Sequence, residues 1–248
     1  MKVMSDQDSV YDEPRDELLG VKIEDIDRCL KEFYDRITHN RNQHLNKDMG
    51  KEQIELRNPM VKYLLTQLED ESVVIDWFSG DAVVPTAILF LQKEFPQKIK
   101  KVGMLYTVDL SEDVYQLIEK NAKMFGLPLE KIYRIKDECL NAAKRIVEKP
   151  ENYRIKDLNI STFIDAAGYM VKTNYKELLQ SISSFSPRIE MIQATNSYSI
   201  LGYAPFLNSL GYETRDCTLR RDVINNGILI GDIIALSAVK NSPAQKRH

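Results

Sequence analysis

An α/β architecture is what this sequence predicts: a doubly wound, mostly parallel seven-stranded sheet, a C-terminal antiparallel hairpin at its edge, and an N-terminal helical appendage. Three observations predict it. From Val73 onward, short apolar runs alternate with segments of helical periodicity, the pattern of a parallel sheet covered on both faces. The last two apolar runs are separated only by a turn, Asn225-Asn226-Gly227, which marks a hairpin. The segment before residue 56 follows another pattern, a polar tail followed by one amphipathic helix.

The elements follow in chain order. Residues 1–19 are acidic, lack periodicity and read as a flexible tail. Residues 20–55 form the appendage. Within it Ile23, Ile26, Leu30, Phe33 and Ile37 recur at three- and four-residue steps and share one helix face. The polar run from His39 to Gly50 predicts a surface loop. Arg36, Arg41, Lys47 and Lys51 against Asp48 give residues 36–51 a local charge of +3, so this loop could grip phosphates or close as a lid. Residues 56–240 hold the sheet, and 241–248 are a C-terminal tail. Pro59 to Leu68 predicts a helix with Pro59 in its first turn. Strands are expected at Val73–Asp76, Val102–Val108, Ile132–Lys136, Ile160–Ile164, Ile189–Gln193, Tyr212–Leu219 and Ile228–Val239. Helices between them are expected at Val83–Glu94, Ser111–Phe125, Cys139–Glu148, Tyr175–Phe185 and Ile200–Leu210. Ser111 is placed to cap its helix, and Glu112 and Asp113 suit the positive end of the dipole.

Composition narrows the classes. With 248 residues, 43% hydrophobic and 29% charged, the chain can bury a core and is not globally disordered. The net charge is −3, of which the first 19 residues contribute −4 (two basic against six acidic). The remainder is close to neutral, so bulk charge neither favours nor excludes a nucleic-acid partner. Cys29, Cys139 and Cys217 are odd in number and far apart, and there are three histidines. They predict neither a disulfide framework nor a metal site, and they suit a reducing compartment. The apolar run Ala82–Leu91 is too short to span a bilayer and contains Pro85. The acidic N-terminus is unlike an export signal. The expectation is a cytoplasmic protein with no membrane partner and no metal.

Ligands of a doubly wound sheet sit at the carboxyl ends of its strands. The first long strand ends Asp76-Trp77-Phe78-Ser79-Gly80-Asp81-Ala82. Small residues there let the backbone approach a ligand, and the helix from Val83 would aim free N–H groups at it. The next strand ends in Asp109, an acid able to accept from two vicinal ribose hydroxyls. Asp137 follows the third strand, where an adenine ring would rest. The fourth strand ends Asp165-Ala166-Ala167-Gly168-Tyr169, an acid and an aromatic facing the reacting centre. Each feature alone also reads as an ordinary turn or helix cap. Together they place acids along one edge of the sheet. Tyr169, Asn196 and Tyr198 are candidates to stack on or hydrogen-bond a planar substrate, and Arg41 is the basic-loop candidate.

This constellation resembles the class I S-adenosylmethionine-dependent methyltransferases over residues 54 to 240. The order matches: glycine-bearing loop, ribose acid, adenine-side acid, tip motif, then a reversed last strand in a hairpin. The stretch from Asp109-Leu110-Ser111 to Gly126-Leu127 is also similar to that family's second strand and helix. The resemblance implies S-adenosylmethionine as cofactor. It implies that Asp76 and the backbone of Phe78, Ser79, Gly80 and Asp81 hold the methionine part, Asp109 with Leu110 the ribose, and Asp137 the adenine amino group. Asp165 and Tyr169 would face the methyl acceptor, which could be a nucleic acid, a protein or a small molecule. The sequence departs from the family at Phe78 and Ala82, which stand where glycines are usual, and the tip lacks the prolines of Asp-Pro-Pro-Tyr. Rival readings are a non-catalytic binding or scaffolding subunit with a partner chain, and a nicotinamide-dependent oxidoreductase.

Overall fold

The computed structural model describes residues 16–45, 56–155, 158–194, 200–225 and 228–240. Its core is a seven-stranded sheet built from β3 (Ser72–Trp77), β4 (Val102–Val108), β5 (Ile132–Ile135), β6 (Leu158–Ile164), β7 (Arg188–Ala194), β8 (Tyr212–Asn225) and β9 (Ile228–Lys240). The strand order is β5-β4-β3-β6-β7-β9-β8. The first five strands pair in parallel and β9 pairs antiparallel with both β7 and β8. β3 and β6 lie side by side although two strands, β4 and β5, come between them in the chain. That reversal of order puts a crevice above the tips of β3 and β6.

Each central strand is apolar because both of its faces are covered. Val73, Ile75 and Trp77 face one apolar cluster, with α5 (Cys139–Glu148) and α7 (Tyr175–Ser183). Val74 faces the other, with α1 (Ile23–Leu45), α2 (Asn58–Gln67), α3 (Val83–Glu94) and α4 (Glu112–Phe125). Ser111 caps α4, its hydroxyl accepting from Val114 N (3.4 Å). Gly126 ends the helix at φ 60° and gives its N–H to carbonyls of the last turn, a conformation that favours glycine.

The appendage is more ordered than its composition predicts. Glu17 and Leu18 (β1) pair with Lys22 and Val21 (β2), so one strand of a short ladder lies within the stretch expected as tail. The expected loop at His39–Gly50 is helical as far as Leu45, and residues 46–50 lie outside the described ones. The polar run contains no proline or glycine before Gly50, so nothing in it breaks a helix. Tertiary contacts then hold it: Arg36 donates to Met124 O (2.8 Å), Asn40 to Asn121 Oδ1 (2.5 Å) and Arg41 to Asp81 Oδ2 (2.7 Å). Upstream, Phe33 stacks between Phe90 and Phe125 at centroid distances of 5.4 and 4.9 Å. Such ring pairs contribute about 0.5–1.5 kcal/mol each beyond the area they bury.

The helix expected at Ile200–Leu210 is split into a 3₁₀ turn at Ile200–Tyr203 and α8 (Ala204–Ser209). Pro205 lies in the first turn of α8 and has no N–H to continue the ladder from the preceding turn. A further short helix, α6 (Ala167–Met170), follows the tip of β6. Among the described residues, no helix is long and apolar enough to cross a membrane.

Candidate active site

Asp76 is the penultimate residue of β3 and is 2% exposed. It faces the same side as Val74 because side chains alternate along a strand. Its register neighbours are Thr107 on β4 and Thr162 on β6. Thr162 Oγ1 donates to Asp76 Oδ1 at 2.6 Å. Burial pushes the Asp76 carboxyl up to about 7, against the pull of Thr162 and with help from the nearby carboxylates of Asp109 and Asp81. The carboxylate form of Asp76 thus lacks a cation to balance it.

The chain then turns sharply. Phe78, Gly80 and Ala82 have φ of 55°, 49° and 46°. Every second residue of this loop therefore takes the left-handed conformation natural to glycine, although only Gly80 is one. Each non-glycine residue there costs on the order of 1 kcal/mol or more. Main-chain bonds hold the turn: Ser79 N to Val108 O (3.1 Å), Ala82 N to Ser79 O (2.8 Å) and Thr86 N to Ala82 O (3.0 Å). Asp81 points to Arg41 of α1, and both side chains are largely buried at 13% and 16% exposure.

Asp109, at the tip of β4, closes this half of the site. Its Oδ2 accepts from Gly80 N (3.1 Å) and its Oδ1 from Ser111 N (2.8 Å). The glycine loop and the second strand tip are thereby tied through one carboxylate, which keeps further lone pairs for a ligand. Leu110 beside it is 58% exposed, an apolar platform at the cleft edge. Asp137 lies after β5, accepts from Glu138 N (2.8 Å) and is ion-paired with Arg145 of α5.

The other half stands on β6 and β7. Asp165 has φ 51° and donates its own N–H to Ile192 O (2.9 Å). Its Oδ1 accepts from Ala194 N (3.2 Å), and its Oδ2 lies 3.9 Å from the Arg57 guanidinium just before α2. Tyr169 on α6 is 60% exposed and stacks on Phe78 (6.2 Å, 17°), so one aromatic wall joins the two halves. Gln193 Oε1 accepts from Ala167 N (3.2 Å) and steadies the tip.

The structure thus gathers Asp76, Phe78, Ser79, Gly80, Asp81 and Asp109 on one side of the crevice and Asp165 and Tyr169 on the other. Arg41 needs correcting in place: it belongs to helix α1, not to a loop, and its guanidinium engages Asp81 of the turn. Asn196 and Tyr198 lie outside the described residues. Sequence reading missed Thr162 and Gln193, whose contributions depend on which strands lie side by side. Cysteine chemistry is disfavoured, because burial pushes the Cys139 thiol up to about 12 and Cys217 up to about 11. Among the described residues, no group of His, Cys, Asp and Glu could hold a metal ion.

Comparison with known proteins separates sequence from shape. No family model matches the chain, and no curated protein matches it by sequence. Solved structures do match. A magnesium protoporphyrin IX methyltransferase from Synechocystis, solved with bound S-adenosylmethionine, superposes with a TM-score of 0.52 at 11% identity, covering 77% of this chain and 80% of that one. The fold is that of the class I methyltransferases. An S-adenosylmethionine-dependent methyltransferase from Agrobacterium tumefaciens gives 0.53 at 11% identity, covering 78% of this chain and 63% of that one. Precorrin 8w decarboxylase from Methanobacterium thermoautotrophicum gives 0.50 at 15% identity, covering 75% and 90%.

Proposed function

We propose that this chain holds S-adenosylmethionine at the tips of β3 to β5 and presents a methyl acceptor at the tips of β6 and β7. The observation that carries the reading is Asp109, whose two carboxylate oxygens are bound by Gly80 N–H and Ser111 N–H. That clamp fixes an acid whose spare lone pairs would accept from the two hydroxyls of a ribose. The buried Asp76 fits the same group, because an ammonium would balance a carboxylate that burial now destabilises. The backbone of Phe78 to Asp81 would line the methionine part, Leu110 would cover one ring face, and Asp137 would take the adenine amino group. When bound, the cofactor supplies an electrophilic sulfonium methyl for direct displacement. The chain's own work is then to align the acceptor and exclude water. Asp165 would orient an acceptor hydroxyl or amine and take its proton, and Tyr169 would stack beside it. Arg57 holds Asp165 in place.

Calorimetric titration tests this directly. S-Adenosylhomocysteine should bind the wild-type chain and NAD should not. Asp109→Ala should lose two charged hydrogen bonds to the ligand, lowering affinity about 100-fold or more, with an unchanged far-ultraviolet spectrum. Undiminished binding by Asp109→Ala sinks the assignment. Binding without turnover on RNA, protein or small-molecule acceptors would favour the scaffolding alternative.

A further inference from the structure

β8 and β9 run on past the carboxyl end of β7. The β7–β9 pairing stops at Ala194–Ile233, whereas β8 and β9 pair on to Asn225–Ile228. The excess is a two-stranded ribbon, bulged between Thr218 and Ile224, with Asp222 at φ 48°. Its buried Val223 belongs to the same apolar cluster as α1 and α2. Between ribbon and helices opens a cavity of about 420 Å³, lined among others by Asp27, Lys31 and Tyr34 of α1, Asn58 and Lys62 of α2, and Arg220 of β8.

Its charge is unlike that of the whole chain. Three cations and one carboxylate leave the wall at net +2, in a protein of net −3. Asp27 is already engaged, by Lys62 at 2.6 Å and by Asn58 Nδ2 at 3.0 Å. Lys62 is thereby fixed in the wall, at 19% exposure. Lys31 and Arg220 are exposed, and neither has a carboxylate partner among the described residues.

The cavity also adjoins the acceptor half of the cleft. Arg57, next to Asn58, lies 3.9 Å from Asp165. Arg220 stands opposite Ile233, which stands opposite Ala194, the residue whose N–H binds Asp165. Two strand spacings, about 10 Å, therefore separate Arg220 from Ala194, and a third, about 14 Å in all, reaches the Asp165 tip of β6 along the sheet.

The geometry points to this cavity as a phosphomonoester site on the acceptor side, taking a molecule about the size of a nucleoside monophosphate. A phosphomonoester carries about −1.5 to −2 at neutral pH and matches the wall, whereas a carboxylate or a phosphodiester carries one charge. The volume lies within the range of small-molecule sites, about 300–1,000 Å³, and exceeds what a lone phosphate fills. The Arg220 fork and the Lys31 ammonium supply charge-assisted hydrogen bonds, and the buried Tyr34 closes the wall between them and the core. The site's role in presenting an acceptor rests on the methyl-transfer reading; its binding of a phosphomonoester does not.

The test is a titration of the full chain with uridine monophosphate, uridine, inorganic phosphate, and a short single-stranded RNA with and without a terminal phosphate. Uridine monophosphate should bind, more weakly as salt rises, and uridine should not. Inorganic phosphate should compete with it. Lys31→Ala and Arg220→Ala should each weaken it about tenfold. Arg215→Ala, whose side chain is 82% exposed and paired with Glu213 outside the cavity, should not. RNA should bind only with its terminal phosphate. Equal binding of uridine and its monophosphate, indifference to both cavity substitutions, or RNA binding regardless of the terminal phosphate would each overturn the assignment. Saturating S-adenosylhomocysteine should not displace the monophosphate. If the monophosphate binds while S-adenosylhomocysteine does not, the methyl-transfer reading fails and the phosphate site stands.

Discussion

Two aspartates at strand tips divide the cleft between them, and they are held in different ways. Asp109 is clamped by two backbone N–H groups, from Gly80 and Ser111. Both come from the strand-to-helix turns of β3 and β4, so adjacent pieces of the core make that clamp. Asp165 has one backbone N–H, from Ala194, and an Arg57 guanidinium 3.9 Å away. The arginine arrives from the segment before the sheet. The proposed cofactor half, at Asp109, is therefore tied by the turns of the core, while the proposed acceptor half, at Asp165, also draws on a side chain from the segment just before α2. Backbone donors are fixed by the fold, whereas a guanidinium on a long side chain must be positioned by whatever anchors its helix.

The most disruptive way to break this contrast is to loosen the appendage at its anchor. Phe33 is fully buried between Phe90 and Phe125, and Phe33→Ala should cost about 3–5 kcal/mol in urea denaturation. Near-native conditions should leave S-adenosylhomocysteine affinity changed little and turnover reduced. An equal loss of both would mean that the cofactor half also depends on α1, through Arg41 and Asp81.

A second experiment sharpens the cofactor side by pH. The folded carboxyl of Asp76 sits at about 7 against an ordinary 3.8. The folded state thus holds its proton more tightly than the unfolded state does, and stability falls as pH rises from 3.8 to about 7. Asp76→Asn should flatten that slope and raise stability at pH 8 by on the order of 2–4 kcal/mol. It should also weaken S-adenosylhomocysteine, since the carboxylate would no longer meet an ammonium. A pH profile of stability identical to wild type would show that Asp76 is not the titrating group.

The smallest expected effect isolates the acceptor side. Arg57→Ala should lower turnover about tenfold, worth ~1.4 kcal/mol, with S-adenosylhomocysteine affinity unchanged by calorimetry. Arg57→Lys should recover part of the loss. A drop in cofactor affinity instead would move Arg57 to the other half of the cleft.

How much of this was legible depended on how local each signal was. The α3 and β4 boundaries, the Ser111 cap and the final hairpin follow from short-range pattern, and the structure agrees. The glycine loop was harder to read because Phe78 and Ala82 occupy left-handed backbone that glycine usually marks. The surrounding strand, helix and main-chain bonds impose that conformation, and residue type only lightly opposes it. The segment at residues 39–45 looked like a loop because it buries little of its own. It is helical because remote partners on α4 and on the β3 turn hold Asn40 and Arg41. The Thr162–Asp76 bond and the cavity between α1, α2 and β8 carry no local signature, since their members are brought together only by strand order and by the ribbon's length.

By itself the sequence determined an alternating α/β chain, the strand tips that bear acids, and a hairpin at the end, because periodicity, capping and turn chemistry act over a few residues. Only the tertiary structure decided which strands neighbour one another. With that it decided that Asp109 clamps the turn, that Asp76 shares a register line with Thr162, and that Arg57 reaches Asp165. Those are relations between residues tens of positions apart, and burial and hydrogen bonding create them only when the sheet closes.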